Sequence, residues 1–277
     1  MKRRGKKQSG SNKIITAVYN SVTQFWGAIN EKPTNAGFWE ASKRESNSKG
    51  TKTYEEATEL LLKGDRATAD KVLRDVAAIK RLINKQAKRR RVETGVVGFA
   101  PNVPNYLAGV PRSMITAKPA ERKDKVVNVV YNFAAPYFVT KEKLTTAVIN
   151  LAGAVYALEA GGARVNVFAQ FAVENGSDKL GLFVKVKNAS QPMDTLKMIY
   201  PLGHPSMLRR HAMRWVETAN GIPVSFASNY GQSVTLGTAG NIAAAAGVKC
   251  DRVIDYSIAS NNDYKALAKM IDTGVII

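Results

Sequence analysis

The sequence predicts a three-layer α/β sandwich. It has a mostly parallel sheet with one antiparallel edge hairpin and is preceded by a basic helical N-terminal region. Three observations carry this reading. In residues 125–277, β-branched runs alternate with segments whose apolar residues recur at helical spacing, the pattern of a sheet covered by helices. An Asn175-Gly-Ser-Asp178 turn joins two of the strand-like runs, which makes them a hairpin. The cations are concentrated before residue 125, so the two halves of the chain differ in character.

In order, the first 13 residues read as a disordered basic arm, with Gly5, Ser9, Gly10 and Ser11 among the charges. Residues 14–94 read as a basic helical region. Within it, Tyr54, Ala57, Leu60 and Leu61 space a short helix that Gly64 closes. A second helix is expected over residues 66–91, with Ala69, Val72, Leu73, Val76, Ile79, Leu82, Ile83 and Ala87 forming one stripe. Residues 95–124 contain Pro101, Pro104, Pro111 and Pro119, which exclude a long helix or a central strand. Because Val96, Val97, Phe99, Tyr106 and Leu107 are too apolar for a free linker, this connector is expected to pack on the core. The α/β domain then starts with a buried strand from Lys125. A helix follows from Thr140 to the Gly161-Gly162 stop, then the hairpin of residues 164–173 and 179–187. Helices are expected near 192–200, 205–219, 241–246 and 262–271. A strand is expected at 252–258, and a final strand or anchor at Val275-Ile-Ile.

The composition bounds the function. Of 277 residues, 41 are Lys or Arg and 22 are Asp or Glu, a formal charge of +19. Residues 1–125 hold 27 cations and 12 acids, a net of +15, against 14 and 10, a net of +4, in residues 126–277. Such an excess points to a polyanionic partner. With 45% hydrophobic residues the chain is not wholly disordered. Its single cysteine, Cys250, excludes an internal disulfide or a cysteine-rich zinc site. No run of about 18 apolar residues predicts a membrane span. The basic start is followed by no apolar stretch of a secretory signal, so the chain reads as non-secretory.

The candidate nucleic-acid-binding residues fall in three runs. Lys2, Arg3, Arg4, Lys6, Lys7 and Lys13 form the arm. Lys80, Arg81, Lys85, Lys88, Arg89, Arg90 and Arg91 crowd the end of the second helix. Some of these complement the helix dipole, but four consecutive cations at 88–91 exceed that need. Arg209, Arg210 and Arg214 form the third run, on a helix that also carries His204 and His211. Trp26, Phe38, Trp39 and Tyr54 lie among the charges and suit either base stacking or anchoring.

Nothing in the sequence assembles a catalytic site. The histidines lie seven residues apart with no nucleophile beside them, so their role reads as structural or, through the neighbouring arginines, anion-contacting. The Gly231-Gln-Ser-Val-Thr-Leu-Gly-Thr-Ala-Gly segment lacks the Gly-Lys-Ser/Thr of a phosphate loop. Asp251 and Asp255, four apart on the expected strand, would share a face and permit a metal pair, but surface solvation is the better explanation of them. No cofactor or metal is expected.

The order strand, helix, antiparallel hairpin, helix, strand, helix, strand, helix over residues 125–277 resembles the von Willebrand factor A-type domain. The segments carrying this are Leu158-Glu-Ala-Gly-Gly-Ala-Arg-Val-Asn-Val-Phe and Asp251-Arg-Val-Ile-Asp-Tyr-Ser-Ile-Ala-Ser-Asn-Asn-Asp-Tyr-Lys-Ala-Leu. That family binds a divalent cation through Asp-x-Ser-x-Ser after its first strand. Here the place reads Asn132-Phe-Ala-Ala-Pro-Tyr, so the resemblance implies a scaffold with a degenerate metal site. Phe38-Trp-Glu-Ala-Ser, Gly50-Thr-Lys-Thr-Tyr-Glu-Glu-Ala and Val103-Pro-Asn-Tyr-Leu-Ala-Gly-Val-Pro-Arg-Ser-Met are similar to segments of uncharacterised phage-encoded proteins. The expectation is therefore a non-enzymatic, phage-type nucleic-acid-binding protein of the host cytoplasm or virion, holding DNA or RNA by its backbone. It would have no membrane contact and would meet a protein partner or form a homo-oligomer through the α/β domain. The alternatives are a virion or assembly protein, and a nucleic-acid- or nucleotide-processing enzyme.

Overall fold

Residues 126–132, Val-Val-Asn-Val-Val-Tyr-Asn, are mostly β-branched, and six of the seven are buried. They form an inner strand of a mixed sheet. The computed structural model describes residues 13–30, 40–90, 92–117, 125–227 and 229–273, and the following account concerns these. In chain order the strands are β1 (Ile14–Tyr19), β2 (Val92–Gly95), β3 (Ala100–Pro101), β4 (Met114–Ala117), β5 (Val126–Asn132), β6 (Arg164–Asn175), β7 (Asp178–Lys187), β8 (Gln232–Ser233) and β9 (Arg252–Asp255). The helices are α1 (Val22–Ile29), α2 (Tyr54–Lys63), α3 (Arg66–Arg90), α4 (Val103–Leu107), α5 (Lys141–Ala160), α6 (Thr195–Gly203), α7 (Met213–Thr218), α8 (Leu236–Ala245), α9 (Tyr256–Asn261) and α10 (Tyr264–Thr273). A π-helical segment, Met207–Ala212, leads into α7.

The main sheet runs β1-β7-β6-β5-β9, with β8 added to the far end of β6. β1–β7, β6–β5 and β5–β9 are parallel, and β6–β7 is the antiparallel hairpin, turning at Gly176 with φ +61°. Helices cover both faces, so the expected α/β sandwich is the fold. One face carries the larger core, in which α1, α3, α5, α6, α7 and α10 meet Val127, Val129, Val165, Val167, Leu180 and Leu182. The other face is covered by α8, whose Ala239, Ile242 and Ala243 pack on Val130, Ala172 and Phe183. Gly181 permits this approach, because a Cβ there would lie 2.3 Å from Ile242.

Three expectations need correction. First, the hairpin is not at the sheet edge. Residues 14–19, placed in the helical region, form β1 and pair with β7 from Ile14↔Lys179 to Tyr19↔Val184. The basic half therefore supplies a strand to the α/β sheet and is not a separate layer. Second, the described part of the connector, residues 95–117, does not pack on the core. β2, β4 and β3 form their own small antiparallel sheet at the end of α3, with the exposed α4 between β3 and β4. Its backbone groups pair internally, as in Phe99 N to Ile115 O at 2.9 Å, so it needs no support from the core. Val97 and Leu107 remain 81% and 79% exposed. Third, the strand expected over 252–258 ends at Asp255. The carboxylate of Asp255 accepts from Ile258 N at 2.8 Å and caps α9. The Val275-Ile-Ile expectation lies outside the described residues. Among the described residues no helix is long and apolar enough to cross a membrane.

Candidate nucleic-acid interface

The cationic helix α3 is positioned by α5. Both run in the same direction: Ile79 packs at Gly153, and Asn84 lies beside the Tyr156 hydroxyl at 3.4 Å. Asp65 caps the start by accepting from Thr68 N at 3.0 Å. Ala69, Val72, Val76 and Ile83 are buried, while Leu73 and Leu82 of the expected stripe are exposed, so the apolar seam is narrower than the spacing suggests. The remaining circumference is charged. Residues 66–90 contain nine Lys or Arg and two Asp, a net of +7.

Lys71, Arg74 and Arg81 project to solvent, and Lys80 lies over the Tyr156 ring at 4.9 Å. Among the described residues none of these four makes an ion pair with a carboxylate within 4.0 Å. The helix end runs into the small sheet, which exposes Phe99 and Tyr106 among aliphatic neighbours. The side chains of Lys85, Lys88, Arg89 and Arg90 lie outside the described residues, as do Arg91, the arm residues Lys2, Arg3, Arg4, Lys6 and Lys7, and the aromatics Phe38 and Trp39. Lys13 is described. Its N–H donates to Asp178 at 3.2 Å and its ammonium to Gly221 O at 3.2 Å, so it fastens the start of β1 to the hairpin.

The third predicted run behaves differently. Arg210 and Arg214 are 0% and 1% exposed, so neither is an anion contact on the surface. Arg210 holds residues 42–52 around its guanidinium. Nε donates to Thr51 Oγ1 at 2.8 Å, Nη1 to the carbonyls of Ser42 and Arg44, and Nη2 to those of Ser46, Thr51 and Lys52, the last two at 2.7 Å. Arg214 donates to Ile29 O, Glu40 and Glu217. The buried Glu217 carboxylate also accepts from Ser42 N, Ser42 Oγ and the Tyr230 hydroxyl. The physical reason for the correction is that this loop has few regular backbone partners, and buried carbonyls require donors. The five N–H groups of a guanidinium supply them. Arg209 is half-buried and spans the carbonyls of Ser48 at 2.5 Å and Tyr137 at 3.1 Å.

The histidines belong to the same interior. His211 is fully buried, and its Nδ1 lies 2.9 Å from the Tyr200 hydroxyl. Its Nε2 meets Thr58 Oγ1 at 3.4 Å, and that hydroxyl donates to Tyr54 O. The pattern assigns the proton to Nε2, with Tyr200 donating to Nδ1. Burial lowers the His211 pKa to about 3, with Arg210 and His204 adding to the effect. Burial likewise lowers His204 to about 4. His204 Nδ1 accepts from Ser206 N at 3.2 Å, while Ser206 Oγ turns to Lys49 O at 2.8 Å. Gly50, at φ +91°, leaves room for this, since a Cβ there would stand 3.0 Å from Pro205 and Ser206. Both are neutral, bonded groups, His211 fully buried and His204 nearly so.

The expected aspartate pair divides. Asp251 precedes β9 and accepts from Asn128 N at 2.7 Å and from Asn128 Nδ2 at 3.0 Å, while Asp255 is the α9 cap. Among the described residues no group of three or more His, Cys, Asp or Glu is placed to hold a metal. Asn132, where the resembled family has its aspartate, accepts from Ala134 N at 3.2 Å. No local pattern foreshadows the Arg210 cage, because its acceptors lie more than 150 residues upstream.

Fold and site together define a mixed α/β protein with a long cationic helix on its surface. The chain belongs to a family described as a domain of unknown function, DUF7192, matched over residues 3–268 and so across both the basic and the nearly neutral halves. No curated protein and no solved structure matches it.

Proposed function

We propose that the protein is a non-enzymatic nucleic-acid-binding protein that contacts the phosphate backbone through α3, with the basic arm adding a second run of cations. The observation that supports this is the charge of α3, a net of +7 over residues 66–90, with Lys71, Arg74 and Arg81 facing solvent and no carboxylate ion pair to them among the described residues. Backbone neutralisation releases counterions and needs no base contact, so this surface suits binding without sequence preference. The α/β body holds α3 rigid against α5. The proposed setting of this role, taken from the resemblance to phage-encoded proteins, is an infected host cytoplasm or a virion.

A second reading, an assembly component, is favoured by the small sheet of residues 92–117. Its exposed Val96, Val97, Phe99 and Leu107 form a patch of a kind that marks contact surfaces. The discriminating experiment is purification in low salt with and without nuclease, followed by absorbance at 260 and 280 nm and size-exclusion chromatography. Nucleic acid that leaves only in high salt supports the first reading. A nucleic-acid-free protein that forms a discrete oligomer and ignores oligonucleotides supports the second.

A further inference from the structure

β9 closes one end of the main sheet, and among the described residues nothing pairs with its outer edge. Two helices overhang that edge from opposite faces. α8 presents Gly237, Gly240 and Ala244, and α10 presents Leu267 and Met270. Between them, along Val253 and Ile254, lies a half-enclosed cavity of about 430 Å³. Its walls are apolar on both sides and its floor is an open strand. A strand in a parallel sheet is buried on both faces and therefore apolar on both. The groove has the character of one unfilled strand position.

One polar feature marks an end of it. Arg252, at the start of β9, lines the cavity and donates to Met270 O at 3.1 Å, but its Nε is buried with no partner among the described residues. A buried donor left unmade is costly, and a ligand acceptor would recover that cost. Asp251, the acid beside it, is already committed to Asn128.

We infer that this groove binds an extended peptide segment of a protein partner by strand addition to β9, with apolar side chains on both faces of the segment and a carboxylate at the end beside Arg252. Main-chain bonds to the open edge supply affinity and the two apolar walls supply selectivity. The carboxylate requirement matches the spare Arg252 donor. A second copy pairing edge to edge does not fit, because each β9 lies between its own overhanging helices and both chains are strongly cationic.

The glycines of α8 allow a clean test. A Cβ on Gly240 meets only Val253, at 3.7 Å, and one on Gly237 meets nothing within 4 Å. A Cβ therefore has room at Gly240, and Gly240→Phe carries a ring at a residue that lines the groove. The probe is fluorescein-labelled Glu-Val-Ile-Val-Ile-amide, titrated with full-length protein and followed by anisotropy. Lys-Val-Ile-Val-Ile-amide is the control, and thermal melts report folding. The expected result is saturable binding of the Glu peptide, at least tenfold weaker for Gly240→Phe with an unchanged or raised melting temperature. Arg252→Gln should reduce the preference for Glu over Lys to less than twofold. Absence of saturable binding overturns the proposal, as does equal binding by the folded Gly240→Phe protein. Binding seen only in a variant lacking residues 274–277 overturns it in favour of an occupant from the chain itself. Saturable binding of decanoate to the groove without peptide binding overturns it in favour of a small lipophilic acid.

Discussion

α3 and the segment running from Met207–Ala212 into α7 are both rich in arginine, yet they use the residue in opposite ways. On α3, Arg74 and Arg81 stand in solvent on a helix whose burial, among the described residues, is a narrow apolar seam. On the other, Arg210 and Arg214 are sealed inside and their donors are consumed by loop carbonyls and Glu217. A guanidinium in water is an available cation. In the interior it is a multi-donor strut whose charge must be matched by oxygens already in place. The difference lies in what surrounds each helix, since residues 40–53 fold back over the second and nothing described covers the outer face of α3.

The largest effect should come from breaking the interior side. Glu217→Ala removes the buried carboxylate that faces Arg214, and is expected to cost about 3–5 kcal/mol of unfolding free energy in urea denaturation. Arg210→Lys should cost nearly as much as Arg210→Ala. An ammonium offers three donors, and the guanidinium here reaches six oxygens through its planar fork. Recovery of most of the stability by Arg210→Lys would show that the cage depends on charge and not on geometry.

Next in size is a dependence on pH. The folded-state pKa values of His211 and His204 are lowered to about 3 and about 4, against an ordinary value of 6.5. Between roughly pH 6.5 and 4 the unfolded chain binds more protons than the folded one. Stability therefore falls as the solution is acidified, at up to about 1.4 kcal/mol per pH unit for each histidine. Urea midpoints measured from pH 7 to pH 4.5 should decline. His211→Gln, whatever its cost at pH 7, should flatten that decline.

The exposed side should barely register in stability. Arg81→Ala is expected to change unfolding free energy by no more than about 0.5 kcal/mol, since the side chain touches little and meets no carboxylate among the described residues. A loss of 2 kcal/mol in the same denaturation would place Arg81 with the interior arginines and undo the contrast.

Much of the fold was legible because its determinants are local. The β-branched run of β5, the Thr140 cap, the Gly161 stop and the Asn175-Gly176 turn each act within a few residues. β1 was not legible, because its six half-exposed residues become a strand only against β7, some 165 positions away. The end of β9 was signalled by Asp255 three residues before Ile258, a cap spacing that the apolar run around it masked. The site was legible as charge but not as burial. No local pattern separates Arg209, half-buried at the rim, from Arg210, fully buried one residue on, because the cage is built from residues 42–52. The apolar composition of residues 96–107 likewise suggested a core that the structure does not provide.

The central claim is that α3 grips a polyphosphate. Its most direct test is the salt dependence of oligonucleotide affinity for the wild-type chain and for Lys71→Ala/Arg74→Ala/Lys80→Ala/Arg81→Ala. Each lost phosphate contact removes about 0.7–0.9 from the slope of log affinity against log salt, so the slope should become shallower by about 3 while the protein stays folded. A wild-type chain that ignores oligonucleotides in dilute buffer, or a slope that the four substitutions leave unchanged, would contradict the account.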